Sequence, residues 1–155
     1  MGEKRLRIPA RLALITSMAA LLACSAPRVV ILDDPLTARE HVDLGLSYEL
    51  QGRTDLAEKE YRKAAAKERD WAVPYFNLGN VSYTKKDLPG AEDHFRKALS
   101  LDGENPDIMN NLATVLHEQG NNKEARELVL HALTIREKGA YLDTLRRIDE
   151  SPGLR

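Results

Sequence analysis

The chain repeats itself every 34 residues, and nothing else in the sequence restricts its fold as strongly. Leu44, Leu78 and Leu112 form one column at that interval, and Gly45, Gly79 and Ala113 form the next. Ala57, Ala91 and Ala125 make a third column, Tyr61, Phe95 and Val129 a fourth, and Ala64, Ala98 and Ala132 a fifth. A unit this short cannot close a core of its own, so neighbouring units must stack and share one. Ala, Leu, Glu, Lys and Arg are plentiful while aromatics make up only 5%, which favours helix over sheet.

The second copy reads Tyr75-x-x-Leu78-Gly79, then Ala91-x-x-x-Phe95, then Ala98, with Asn77-Leu-Gly-Asn80 at its centre. This resembles the tetratricopeptide pattern of aromatic-x-x-Leu-Gly-x-x-Tyr, Ala-x-x-x-Phe and Ala, and the resemblance covers residues 38–139. It implies an all-α, right-handed α-solenoid of three helical hairpins, at 38–71, 72–105 and 106–139. The sequence departs from the family pattern where its usual late proline is replaced by Arg69, Gly103 and Glu137. The third copy also carries Ala113, Leu116 and Val129 where Gly, Tyr and Phe are usual.

Close packing explains the residue types. Gly45, Gly79 and Ala113 are expected to let the first helix of each hairpin, helix A, approach the second, helix B, with no side chain between them. Ala57, Ala91 and Ala125 would do the same from helix B, while the leucines, Tyr61 and Phe95 fill the space between hairpins. Thr37 with Glu40 reads as a capping box that starts the first helix near Ala38. Gly52 and Gly120 fall between helices, Asp87 can cap the second helix B, and Pro74 and Pro106 sit in first turns, where a missing N–H does no harm. Residues 140–149 place Leu142, Leu145 and Ile148 on one stripe. They read as a capping helix that covers the last apolar face, followed by a tail at 150–155.

The N-terminus has a different character. Lys4, Arg5, Arg7 and Arg11 precede twelve uncharged residues, Leu12 to Ala23, which meet Cys24. That is the basic and apolar order of a signal peptide over residues 1–23. As a helix the apolar stretch would extend roughly 18 Å, short of a ~30 Å hydrocarbon core, so a permanent span is not expected. Leu21-Leu22-Ala23-Cys24 resembles the lipobox of bacterial lipoproteins, which implies a covalent lipid such as palmitate on Cys24 after cleavage. Cys24 is the only cysteine, and a lipidated thiol escapes the intermolecular pairing expected of an exported free one. The other reading is an ordinary secretory peptide cut after Ala20, Ala23 or Ala26. Ser25 after the cysteine, in place of aspartate, implies sorting to the outer membrane of the bacterial envelope, facing the periplasm. Residues 24–37, with Pro27 and Pro35 around an apolar run, read as a tether, or as an extended segment packed on the first repeat.

Without its basic start the chain is mildly acidic, so it has no electrostatic footprint for nucleic acid. No nucleophile with a base, phosphate loop or His-x-x-x-His spacing is visible, and neither an enzyme activity, a small-molecule substrate nor a metal is expected. His41 occupies the aromatic column of repeat one and reads as a packing residue. His117-Glu118 and the charged stretches Glu58-Lys-Glu60 and Arg146-Arg147 read as solvated faces.

Stacked hairpins curve and leave a concave face lined by their A helices. The family's groove positions fall on Arg39, Val42, Leu46 and Glu49 in repeat one. In repeat two they fall on Val73, Phe76, Asn80, Tyr83 and Thr84, and in repeat three on Asp107, Asn110, Thr114 and His117. Asn80 could hold the backbone of an extended peptide, with Phe76 and Tyr83 as an apolar wall; both rings could equally serve only to pack between repeats. The carboxylate clamp of chaperone-docking relatives is missing, since Val42 and Leu46 stand at two clamp positions and Asp107 replaces a lysine. The expected partner is therefore another protein or an extended peptide. The chain would be either an anchored scaffold for an envelope machine or a non-catalytic accessory subunit of a periplasmic enzyme or export complex.

Overall fold

The computed structural model describes residues 34–151, and every regular element among them is an α-helix. The expected signal peptide, Cys24, the tether up to position 33 and the tail from position 152 lie outside the described residues. The helices are α1 (Ala38–Leu50), α2 (Thr54–Lys67), α3 (Ala72–Thr84), α4 (Leu88–Leu101), α5 (Pro106–Glu118), α6 (Asn122–Ile135) and α7 (Gly139–Asp149). They pair as the hairpins α1–α2, α3–α4 and α5–α6, and each hairpin stacks on the next through α2–α3 and α4–α5. Helices α3 and α5 also touch, as do α5 and α7, so the A helices gather on one side of an α-solenoid.

Local chemistry starts and stops these helices. Thr37 accepts from the Glu40 amide at 3.2 Å while the Glu40 carboxylate accepts from the Thr37 amide at 2.7 Å, a reciprocal cap on α1. Asp87 accepts from the Gly90 amide at 3.1 Å to cap α4, and Asn105 accepts from the Asp107 and Ile108 amides to cap α5. Each A helix ends in the same turn. The amides of Arg53, Asp87 and Asn121 reach back five residues to the carbonyls of Tyr48, Ser82 and Leu116, at 2.8, 3.0 and 2.8 Å. That turn needs a residue with positive φ, supplied by Gly52 at +71° and Gly120 at +86°. In the middle copy the same position is Lys86, at +65°, where a side chain is present and strained.

The glycine column works differently from its expected role. Gly45 and Gly79 do not simply bring two backbones together; they seat the ring carried by helix B of the same hairpin. A Cβ on Gly45 would lie 2.3 Å from the Tyr61 ring, and one on Gly79 would lie 2.5 Å from that of Phe95. Tyr61 and Phe95 are thus buried inside their hairpins as well as between them, at 0% and 1% exposure. In the third hairpin the ring becomes Val129, and Ala113 takes the glycine position with both fully buried, a smaller knob over a shallower seat.

Two further expectations change. In α7 the buried stripe is Tyr141, Thr144 and Ile148, with Leu145 partly buried beside them, while Leu142 faces solvent at 46% exposure. Spacings of three and four residues from Tyr141 keep one face toward the stack, and Leu142 lies off that face. Glu60 does not belong to a solvated face. It is buried and takes a 2.7 Å contact from Nδ1 of fully buried His41, with Lys63 at 3.0 Å on its other oxygen. Burial pushes the Glu60 carboxyl up, but these two hydrogen bonds together hold it below its ordinary value.

Candidate peptide-binding groove

Helical spacing places Val42 and Leu46 on one face of α1, and Val73, Phe76 and Asn80 on one face of α3. Val42, Leu46, Val73 and Phe76 line a single open cavity of about 610 Å³, joined by Ala72 and by Ile108 at the start of α5. The rest of its lining is polar and consists of Asn77, Asn105, Asn111, Asp102, Asp107 and Lys138. The volume lies within the roughly 300–1,000 Å³ usual for ligand sites. Phe76 is steadied from behind by Phe95, with ring centroids 5.9 Å apart and planes tilted by 54°.

A second, smaller cavity of about 100 Å³ is lined by Asn80, Tyr83, Phe95, Asn111 and Thr114. Phe76 and Tyr83 therefore serve different cavities and do not form one wall. Asn111 lines both cavities, and its amide donates to the Asn80 carbonyl at 2.9 Å, tying α5 to α3. That bond engages the Asn80 side-chain oxygen. The Tyr83 hydroxyl donates to Glu118, a second tie between repeats, and this contact together with burial raises the phenol above its usual range.

The remaining expected groove residues line neither cavity. The Arg39 guanidinium lies 5.7 Å from the centre of the Trp71 ring. Glu49 accepts from the Tyr61 hydroxyl; burial first, then that carboxylate, push the Tyr61 phenol far above its ordinary value. The Thr84 hydroxyl donates to the Asn80 backbone carbonyl at 2.9 Å. The Asn110 backbone carbonyl accepts from Thr114 at 2.9 Å, and His117 Nδ1 sits 2.6 Å from the Asn122 amide oxygen at the start of α6. Arg39, Glu49 and His117 thus contact other helices or the turns between them, whereas the bonds at Thr84 and Asn110 stay within their own helices.

Asp107 does both jobs. It lines the large cavity and also fastens α7, accepting from Lys138 at 2.9 Å, Arg136 at 2.6 Å and the Tyr141 hydroxyl at 2.6 Å. Burial pushes its carboxyl up, but the hydrogen bonds from Lys138 and Tyr141 and the two nearby cations outweigh that, and it is held down to about 2. Sequence reasoning missed Ala72, Asn77, Asp102, Asn105, Ile108, Asn111 and Lys138. Asn77 and Asn111 are 34 residues apart and adjacent to chosen positions, so the repeat itself could have found them. Lys138 could not be found that way, because it lies beyond the end of α6 and reaches the cavity only through the turn into α7.

Among the described residues no group of His, Cys, Asp and Glu is arranged to hold a metal ion, and no helix is long and apolar enough to cross a membrane. Stacked hairpins with buried rings over glycine seats, and a cleft along the A helices, define a helical-repeat protein. Family models of the tetratricopeptide repeat match residues 41–66 and 70–138, and the chain belongs to that family.

Among its relatives, the type IV pilus assembly protein PilF of Pseudomonas aeruginosa is 33% identical over 92 residues, 59% of this chain and 36% of that protein. The solved structure of Pseudomonas aeruginosa pilF superposes with a TM-score of 0.66 at 29% identity, over 72% of this chain and 52% of that one. The probable biofilm formation methyltransferase WspC of Pseudomonas putida is 33% identical over 102 residues, 61% of this chain and 24% of that protein. The first repeat domain of Spaghetti (RPAP3), solved with the HSP90 peptide SRMEEVD, shares the fold with a TM-score of 0.72 at 19% identity, over 76% of this chain and 94% of that one. The chain spans about a third or less of the two bacterial relatives' full length.

Proposed function

We propose that the chain is a lipid-anchored adaptor of the bacterial cell envelope. In this reading Cys24 carries the lipid at the outer membrane, and the A-helix groove holds an extended segment of a partner protein on the periplasmic side. The observation that carries the reading is the cleft, where Leu46 and Val73 remain 44% and 38% exposed in a concave site beside amide side chains. Apolar surface left in such a recess is released from water when a ligand covers it, at about 25 cal/mol per Å². Similarity to a pilus assembly protein supports an envelope role and favours an assembly machine as the client.

The resemblance to a protein named as a methyltransferase favours a second reading, in which the repeats serve an enzyme as a docking module and supply no catalytic group. Crosslinking in native membranes separates the two. Recovery of several assembly components supports the scaffold, and recovery of one enzyme supports the accessory role. Phe76→Ala, Asn80→Ala and the exposed-site change Val73→Glu should each abolish capture with helicity unchanged; capture that survives all three overturns the groove reading. Cys24→Ser should release the protein from the membrane fraction, and retention of that variant overturns the anchor.

A further inference from the structure

We infer that the groove selects a segment carrying an aliphatic or aromatic side chain close to a lysine or arginine, the apolar group entering beside Phe76 and the cation meeting Asp102. This rests on the groove reading above and adds a charge rule to it.

Three charged side chains line the large cavity: Asp102, Asp107 and Lys138. The last two are already engaged, with Lys138 2.9 Å from one Asp107 oxygen and Arg136 2.6 Å from the other. Asp102 differs. Its carboxylate accepts from the Asn105 side-chain amide at 2.8 Å, and among the described residues no cation pairs with it. It also occupies the C-cap of α4, where the last carbonyls of the helix add partial negative charge. This end of the cavity therefore presents one uncompensated sign.

The opposite choice, an anionic ligand, finds one cation in the lining, Lys138, and that one is already paired with Asp107. The N-terminus of α5, which lines the cavity through Asp107 and Ile108, has its amides consumed. Pro106 has no N–H, Asp107 and Ile108 donate to the Asn105 side chain at 3.1 and 3.3 Å, and Met109 donates to the Asn105 carbonyl at 3.2 Å. An acidic segment would meet two carboxylates, Asp102 and Asp107, with the lining cation Lys138 already paired, whereas a basic one finds the Asp102 carboxylate open to it. The apolar wall of Val42, Leu46, Val73 and Phe76 supplies the sequence-tolerant part of the affinity, and Asp102 supplies the selection.

Panning a random twelve-residue peptide library on the full chain tests this. The expected consensus has a large apolar residue with Lys or Arg within a few positions and is depleted in Asp and Glu. The enriched peptide should then bind Asp102→Asn about fivefold more weakly, while its uncharged Lys→Gln version binds both proteins alike. Asn at 102 can still accept from Asn105, so a purely structural role would move neither peptide. Enrichment of acidic peptides overturns the inference, as does enrichment of Val73-dependent peptides indifferent to Asp102. Enrichment of nothing, or only of peptides that still bind Val73→Glu, overturns the groove reading itself.

Discussion

Gly79 lies directly beneath the ring of Phe95, so closely that a methyl group there would come within 2.5 Å of the ring carbons. The third hairpin shows the complementary solution, with Ala113 paired to Val129 at the same two repeat positions, both fully buried. Gly79→Ala should therefore overpack and lower unfolding free energy by about 1–3 kcal/mol. Combined with Phe95→Val the same change should be far better tolerated, so the pair couples positively in a double-mutant cycle by denaturant unfolding. Strict additivity of the two changes would contradict the seat-and-ring relationship.

Ala91 is fully buried in the core cluster that joins the second and third hairpins. Ala91→Leu adds atoms where no space exists and should cost about 1–3 kcal/mol. A melting temperature equal to that of the unmodified chain would mean the packing register is wrong.

The three turns that close the A helices differ at one position, where Gly52 and Gly120 flank Lys86 in the series. Gly120→Ala should destabilise by about 1 kcal/mol, because a Cβ at φ +86° meets the following carbonyl. Lys86→Gly should move the other way by up to about 1 kcal/mol, less whatever the Lys86 ammonium contributes at 5.3 Å over the Tyr83 ring. Thermal melts in which Lys86→Gly is no more stable than Lys86→Ala, which also lacks the ammonium, would refute the strain.

Acid should loosen the C-terminal helix first. Asp107 is held at about 2 in the folded chain against an ordinary value near 3.8, so between these values the unfolded chain binds more protons and stability rises with pH. The contribution is complete above about pH 4 and disappears as pH falls through about 2. Melting temperatures recorded down this range should fall more steeply for the unmodified chain than for Asp107→Asn, and the amides of α7 should exchange faster in that variant at neutral pH. Parallel acid slopes for the two proteins would remove Asp107 from its role in holding α7.

Residues 38–139 declared their architecture in advance because a period of 34 is a statement about stacking that survives without coordinates. Helix type, the capping box at Thr37 and the turn glycines follow from local chemistry, which depends on neighbours a few residues away. Half of the groove was legible for the same reason. Val42, Leu46, Val73, Phe76 and Asp107 come together because equivalent positions in equivalent hairpins face one side. Arg39, Glu49 and His117 share that side in the pattern, yet each is drawn to a neighbour, Trp71, Tyr61 and Asn122, while Thr84 turns back on its own helix.

Sequence alone thus determined the number of hairpins, their helical character and the side on which a cleft must form, because periodicity and capping are properties of the chain taken a few turns at a time. Only tertiary structure decided that a ring of helix B sits on each glycine, that Glu60 is buried against His41, that Asp107 is spent on Lys138 and Arg136, and that Asp102 is left without a cation. These outcomes depend on distances between side chains many residues apart, and a repeat pattern records which positions recur without recording which partner each side chain reaches.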